Sequence, residues 1–221
     1  MNLVLIENLR KEYISGGEAF PALKGVSLDI KQGEFVSIMG ESGSGKSTLL
    51  TILGGLNHPS SGNINVFDID IYSLSAEKLA DFRSEFLGFV FQSFNLIDYL
   101  TALENVMLPL AIKKMSNADK TKKALDVLAK VGLLDKGGRL PNELSGGEQE
   151  RVAIARAIVN NPPLILADEP TGNLDSKTAD EVMLLFSELN ASGQTIVMVT
   201  HNTANALRTH RVINLKDGLV I

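Results

Sequence analysis

Gly40-Glu41-Ser42-Gly43-Ser44-Gly45-Lys46-Ser47 reads G-x-x-x-x-G-K-S, a spacing with a definite chemistry. Its glycines let the backbone curl until successive N–H groups point inward at an anion. The run follows the apolar stretch Phe35–Met39 and precedes Thr48, Leu49, Leu50, Ile52 and Leu53, so a strand should enter the loop and a helix should leave it. The positive end of that helix adds to the pull on the anion. Lys46 is placed to reach the β- and γ-phosphates of a nucleotide, and Ser47 to offer its hydroxyl to Mg²⁺. A Gly/Ser-rich surface turn shares the composition but not the flanking strand and helix. The sequence therefore predicts a nucleoside triphosphate site.

A second group of residues belongs with the first. Leu164-Ile165-Leu166-Ala167 is an apolar run that ends in the adjacent acids Asp168 and Glu169. Ligands of a parallel sheet collect at the carboxyl ends of its strands, which would bring both acids beside the phosphate loop. One carboxylate suits the Mg²⁺ shell, and Asp168 is assigned there. The other can position and polarise the water that attacks the γ-phosphate, and Glu169 takes that part. Without a phosphate loop upstream the same pair would read as solvated turn residues.

Leu144-Ser145-Gly146-Gly147-Glu148-Gln149 opens a helix whose apolar face includes Val152, Ala155 and Val159 and which Pro162-Pro163 closes. Ser145 is suited to cap it. The two glycines leave backbone N–H groups uncovered at its positive end, which makes a second anion site far from the first in sequence. In isolation this would be an ordinary capped turn.

The elements that must hold these residues alternate in type. Residues 2–6, 26–30 and 34–39 read as strands bounded by Gly16-Gly17 and Gln32-Gly33, and a helix is expected from Lys46 to about Gly54. A strand follows near 63–67, and Ser75 should cap a further helix. From Thr101 to Asn160 the pattern turns helical, with Thr101–Glu104 and Ser116–Asp119 resembling capping boxes and Leu125, Leu128 and Val131 on one apolar face. Strands then return at 164–167, 195–200 and 211–215, with a helix over 177–190 between them. The result is an α/β core with a mainly parallel sheet, in one domain over 1–221 that carries a helical insertion at about 93–160.

Bulk properties exclude several classes. The net charge is −5 with no block of lysines or arginines, which argues against nucleic acid as a partner. No cysteine is present, so neither a disulfide framework nor a thiolate metal site can form. The longest uncharged apolar stretch is Val106–Ile112, interrupted by Pro109, whereas a bilayer span needs about 20 apolar residues. Membrane association is therefore expected only through a partner.

Taken together, the phosphate loop, the Leu144–Gln149 element within a helical insertion, and Leu164–Glu169-Pro170 resemble the ATP-binding subunits of ABC transporters. The resemblance runs from Leu3 to the end of the chain. It implies the ABC ATPase fold: a P-loop core, an antiparallel β region at the N-terminus and an inserted helical subdomain. It also implies a head-to-tail homodimer with two ATP molecules between the copies. Ser145 and Gly147 of one copy would then touch the γ-phosphate held by Gly43–Thr48 of the other, with Gly146 and Glu148 in the same element.

By the same resemblance, Gln92 after the strand Leu87–Phe91 approaches Mg²⁺ and the attacking water, and His201 contacts the γ-phosphate. Asp175 communicates across the dimer, and Tyr13 stacks on adenine. Glu148 stands where Gln is commoner, Glu41 adds an acid to the loop, and Asn202 follows His201 where an acid is frequent. Gly88–Leu96, Leu100–Val106 and Ala167–Asp175 are similar to the bacterial ATPases of lipoprotein release, macrolide export and antimicrobial-peptide resistance. That implies a separate integral membrane permease and a cytoplasmic location on the inner face of the plasma membrane. The rival is an ABC-type ATPase acting on nucleic acid or the ribosome without a membrane partner. A P-loop kinase or GTPase fails on the Leu144–Gln149 element.

Overall fold

The computed structural model describes residues 2–221. β1 (Asn2–Ser15) and β2 (Glu18–Lys31) form a long antiparallel hairpin closed by Gly16 and Gly17, both at positive φ (59° and 86°). Two consecutive left-handed residues match the twist that a two-residue hairpin turn requires. The sequence reading placed strand only at the two ends of this hairpin. The middle was missed because register shifts between Ile6 and Leu9, and again between Lys11 and Glu12, break the alternation that marks a strand. β4 (Ser61–Val66) pairs with β1, and the two-residue β5 (Ile69–Asp70) completes an antiparallel sheet in the order β2-β1-β4-β5.

The second sheet positions the chemistry. Its order is β10-β9-β3-β8-β7-β6, from β3 (Phe35–Met39), β6 (Leu87–Val90), β7 (Leu164–Asp168), β8 (Thr195–Thr200), β9 (Arg211–Lys216) and β10 (Leu219–Val220). All neighbours are parallel except β10 against β9. Met39 pairs with Thr200, Asp168 with Val199 and Val90 with Ala167. Four strands thus end almost level, and Gly40, Glu169, His201 and Gln92 all emerge at one edge.

Alternate residues of these strands face two cores. Val36, Ile38, Leu164, Leu166, Val197 and Val199 pack with α1 (Lys46–Leu53) and the antiparallel sheet. Phe35, Val90, Ile165, Ala167, Ile196 and Met198 pack with the helices of the opposite face. Those helices are α3 (Ala102–Met107), α4 (Asn117–Lys130), α5 (Gly146–Ile158) and α6 (Ser176–Ala191); α2 (Ala76–Phe86) and α7 (Thr203–Ala206) complete the set. No strand lies between β6 and β7 among the described residues.

Ser75 caps α2, and Thr101 with Glu104 makes a reciprocal capping box at α3. At α4 the reciprocity fails. Ser116 Oγ accepts the N–H of Asp119 at 3.1 Å, but Asp119 takes the Ser116 hydroxyl rather than its backbone N–H. Aspartate is one methylene too short to reach back as Glu does. The buried face of α4 is Ala124, Val127 and Leu128, continued by Val131; Leu125 is half-buried beside it. Among the described residues no helix is long and apolar enough to cross a membrane.

Candidate nucleotide site

The loop between β3 and α1 is built on close approach. A Cβ on Gly40 would stand 2.1 Å from the carbonyl oxygen of Leu215, so only glycine lets the loop lie against β9. Gly45, the N-cap of α1, sits at φ 104°, and Gly43 at φ 81°. These turns aim the loop at a cleft of about 640 Å³, within the range of small-molecule sites. Ser42, Gly43, Gly45, Lys46, Ser47 and Thr48 line one side. Gln92, Glu169 and His201 line the other, and Ala22 of β2 closes an end. Gly40 and Ser44 lie behind the loop and do not line the cleft, and Ser44 is buried.

Lys46 is 7% exposed, and its ammonium donates to the carbonyls of Gly40 and Glu41, both at 2.8 Å. Two of its three donors fix the charge across the loop, which leaves one for a phosphate oxygen. Ser47 Oγ donates to Asp168 Oδ1 at 3.1 Å. Burial pushes the Asp168 carboxyl above the ordinary range and adjacent Glu169 adds to that, while the Ser47 hydroxyl and the Lys46 charge pull it down. A carboxylate held this way gains from a cation beside it.

The donor set fits Mg²⁺ better than a metal caged by protein alone. No cluster of three or more His, Cys, Asp or Glu side chains able to hold a metal occurs among the described residues. Mg²⁺ is typically bound through one or two carboxylates together with substrate phosphates and water. Asp168 and Ser47 bring two hard oxygens together, 3.1 Å apart.

Glu169 sits at φ 48°, in the left-handed region that a side chain disfavours, with its N–H donating to Val199 at 3.0 Å. That backbone turns the carboxylate back over the sheet edge, where Oε2 lies 2.5 Å from His201 Nδ1. Glu169 is mostly buried, and the His201 side chain is 66% exposed. The Gln92 side chain closes on the same place. A Cβ on Gly172 would lie 3.3 Å from Gln92 Nε2 and 3.5 Å from Glu169 Oε2. The Gln92 carbonyl accepts from Asn173 Nδ2 at 2.9 Å.

Asp168, bonded to Ser47, is not itself among the residues that line the cleft, and the remaining sequence-predicted residues also lie outside that lining. Tyr13 is 41% exposed; its hydroxyl stands 3.5 Å from Thr48 Oγ1, and the Lys11 ammonium lies 5.0 Å from its ring centre. Asp175 caps α6, accepting from the N–H groups of Lys177 and Thr178 and from the Thr178 hydroxyl. Those bonds, the Thr178 hydroxyl first, hold its carboxyl below the usual range.

Ser145 caps α5 in a reciprocal box: Glu148 Oε2 accepts the Ser145 N–H at 2.8 Å and Ser145 Oγ accepts the Glu148 N–H at 3.3 Å. Glu148 therefore serves the helix directly where the sequence showed only a substitution, and Lys136 pairs with it at 3.5 Å. None of Ser145, Gly146, Gly147 or Glu148 lines the cleft of its own copy.

Four functional candidates escaped the sequence reading. Asn173 and Arg156 donate to backbone carbonyls of the Gln92 loop from far along the chain, and Asn105 donates to the nearby carbonyls of Ile97, Leu100 and Thr101. Glu150 is fully buried in α5. The only signal for Arg156 was a charge among apolar neighbours; Glu150, between Gln149 and Arg151, gave none.

With this geometry in hand, comparison with known families decides the identity: the ABC transporter model matches residues 23–172. The chain belongs to the ABC transporter family. It is an ATP-binding domain of that family, an ATPase. A relative from Methanocaldococcus jannaschii, the ABC transporter ATP-binding protein MJ0796, is 51% identical over 99% of this chain and 95% of its own length. The macrolide export ATP-binding/permease protein MacB of Rhodopirellula baltica is 50% identical over 99% of this chain. This ABC chain spans only 32% of that relative's length. In fold it is similar to the dimeric MJ0796 cassette in a post-hydrolysis state bound to ADP and Pi. The TM-score is 0.91 at 50% identity, covering 98% of this chain and 96% of the other. The ABC ATPase fold, with its antiparallel N-terminal sheet, is thus the fold of this chain.

Proposed function

We propose that this chain is the ATP-hydrolysing motor of a membrane transporter, and that two copies close head to tail around two ATP molecules. The separation of its two anion grips carries the reading. Lys46, Gly43 and Gly45 line the cleft, whereas the exposed start of α5 at Ser145 and Gly146 lies outside it. A second copy related by a two-fold axis supplies each cleft with the grip it lacks. The dimeric MJ0796 cassette supports this arrangement.

Within each cleft, Lys46 and the loop N–H groups hold the β- and γ-phosphates. Ser47 and Asp168 would hold Mg²⁺, with Gln92 beside it, and the ion would supply charge neutralisation on the phosphates. Glu169 orients the attacking water and draws on its proton, and His201 holds the Glu169 carboxylate in place before it turns to the γ-phosphate. Tyr13 stacks on the adenine through the ring face that Lys11 leaves uncovered, and Asp175 carries the state of one copy to the other. Residues 1–221 act as one unit, with 93–160 as its helical subdomain.

The permease named in the macrolide-export relatives favours a membrane partner over nucleic acid or the ribosome. We place that permease at the apolar groove of about 400 Å³ edged by exposed Leu56, Leu108 and Ile112. The chain then works from the cytoplasmic side of the inner membrane, in export, lipoprotein release or mechanical transmission.

Glu169→Gln tests the dimer. The variant keeps the carboxyl's shape but not its charge, so it should bind Mg·ATP, hydrolyse it very slowly and accumulate as a dimer in light scattering. Monomers alone under saturating Mg·ATP, or near-normal turnover, would remove this reading.

A further inference from the structure

The backbone that follows Gln92 runs against its own preferences. Phe94 and Asn95 both adopt positive φ, 59° and 49°. Adjacent left-handed residues bearing side chains persist only where their surroundings over-determine them. The turn closes through Phe94 N–H to the Phe91 carbonyl at 2.9 Å and Asn95 N–H to the Ser93 carbonyl at 2.5 Å. Two side chains from elsewhere then seize it. Arg156 Nη1 donates to the Asn95 carbonyl at 2.5 Å and Nη2 to the Phe94 carbonyl at 2.7 Å. Asn173 Nδ2 donates to the Gln92 carbonyl at 2.9 Å. Farther along, buried Asn105 exchanges hydrogen bonds with the N–H and carbonyl of Ile97 at 2.8 and 3.1 Å.

The sources of these donors give the clamp its meaning. Asn173 lies on the stretch that joins Glu169 to α6, so it ties Gln92 to the acid assigned to the attacking water. Arg156 lies near the C-terminal end of α5, the helix that begins at Ser145. A planar guanidinium suits two neighbouring carbonyls, whereas a lysine ammonium is a single point charge on a flexible stem.

We infer that Arg156 and Asn173 are positioning residues for hydrolysis: they set where the Gln92 amide stands, and Arg156 links that setting to the helix offered to the partner's nucleotide. Neither lines the cleft. The inference rests on the role proposed for Gln92. Gln92 serves the cleft of its own copy and the start of α5 serves the other cleft, so a shift of the Gln92 loop is passed along α5 from one nucleotide to the next.

The test compares Arg156→Lys, Asn173→Ala and Gln92→Ala, singly and in pairs, by melting temperature, KM for ATP and kcat. Each positioning variant should keep KM while kcat falls roughly tenfold to a hundredfold, the scale of a misplaced catalytic group. In the Gln92→Ala background neither should lower kcat further, because the residue they act through is gone. Unchanged kcat in the single variants, or losses that multiply in the pairs, would overturn the clamp alone. Full kcat in Gln92→Ala would remove the Gln92 reading, and the clamp with it. Should Arg156→Lys fail to fold, Asn173→Ala, at an exposed side chain, still decides the matter.

Discussion

Glu150 is the side chain whose surroundings suit its charge least. It is fully buried in α5, and neither carboxylate oxygen has a hydrogen-bond partner. Burial pushes its carboxyl up to about 9, with the Arg156 charge pulling the other way. An unfolded glutamate ionises near 4.5, so between the two values the folded chain holds a proton that the unfolded chain releases. Its contribution to stability is therefore complete below pH 4.5 and is lost as pH climbs toward 9. Glu150→Gln removes that titration. The variant should unfold at higher urea than the parent at pH 8, by about 2–4 kcal/mol, with little difference at pH 5. Parallel urea midpoints for the two proteins across that range would contradict the assignment. At this scale the sequence disclosed what a local pattern encodes, such as Lys46, Ser47 and Asp168. Gln92, His201 and Tyr13 needed the family resemblance. Arg156 and Asn173 went unseen because their partners are carbonyls distant in sequence, and Asn105 because its nearby partners, Ile97, Leu100 and Thr101, lie in irregular chain with no period to read.

Among the elements, α5 and α6 meet where two helix starts touch. A Cβ on Gly147 would come within 2.1 Å of Thr178 Cγ2, and Thr178 is also the residue that Asp175 holds at the head of α6. Gly147→Ala should therefore push the two starts apart and destabilise the fold by about 1–3 kcal/mol, the usual cost of overpacking. Thr178→Ser removes the offending methyl but keeps the hydroxyl that bonds Asp175. The double variant should regain most of the lost melting temperature, and failure to do so would place the strain elsewhere. Helix ends were the most legible elements, since Ser75, Thr101 and Ser145 each cap the helix they announce. The middle of the first hairpin was hidden by its bulges. β5 and β10 have two residues each, too few to show a period.

At the level of the whole molecule, the order of the parallel sheet brings four distant segments to one edge. Strand ends alone foretell the meeting of the phosphate loop with Asp168 and Glu169, whereas Gln92 and His201 join it only through the family resemblance. The docking of α5 beside α6 was not foreseen, because it depends on glycine contacts that only the assembled chain reveals. The displacement of Ser145 from its own cleft has a consequence that mixing makes visible. Ser145→Asp preserves a good helix cap but sets a carboxylate against the partner's γ-phosphate, so this protein alone should be inactive. Lys46→Ala should be inactive for the opposite reason. Blended, the two cripples can pair so that one shared pocket draws its lysine from the first protein and its serine from the second. Turnover should then reappear in a mixture whose ingredients have none, rise with the product of their concentrations, and vanish when either is diluted away.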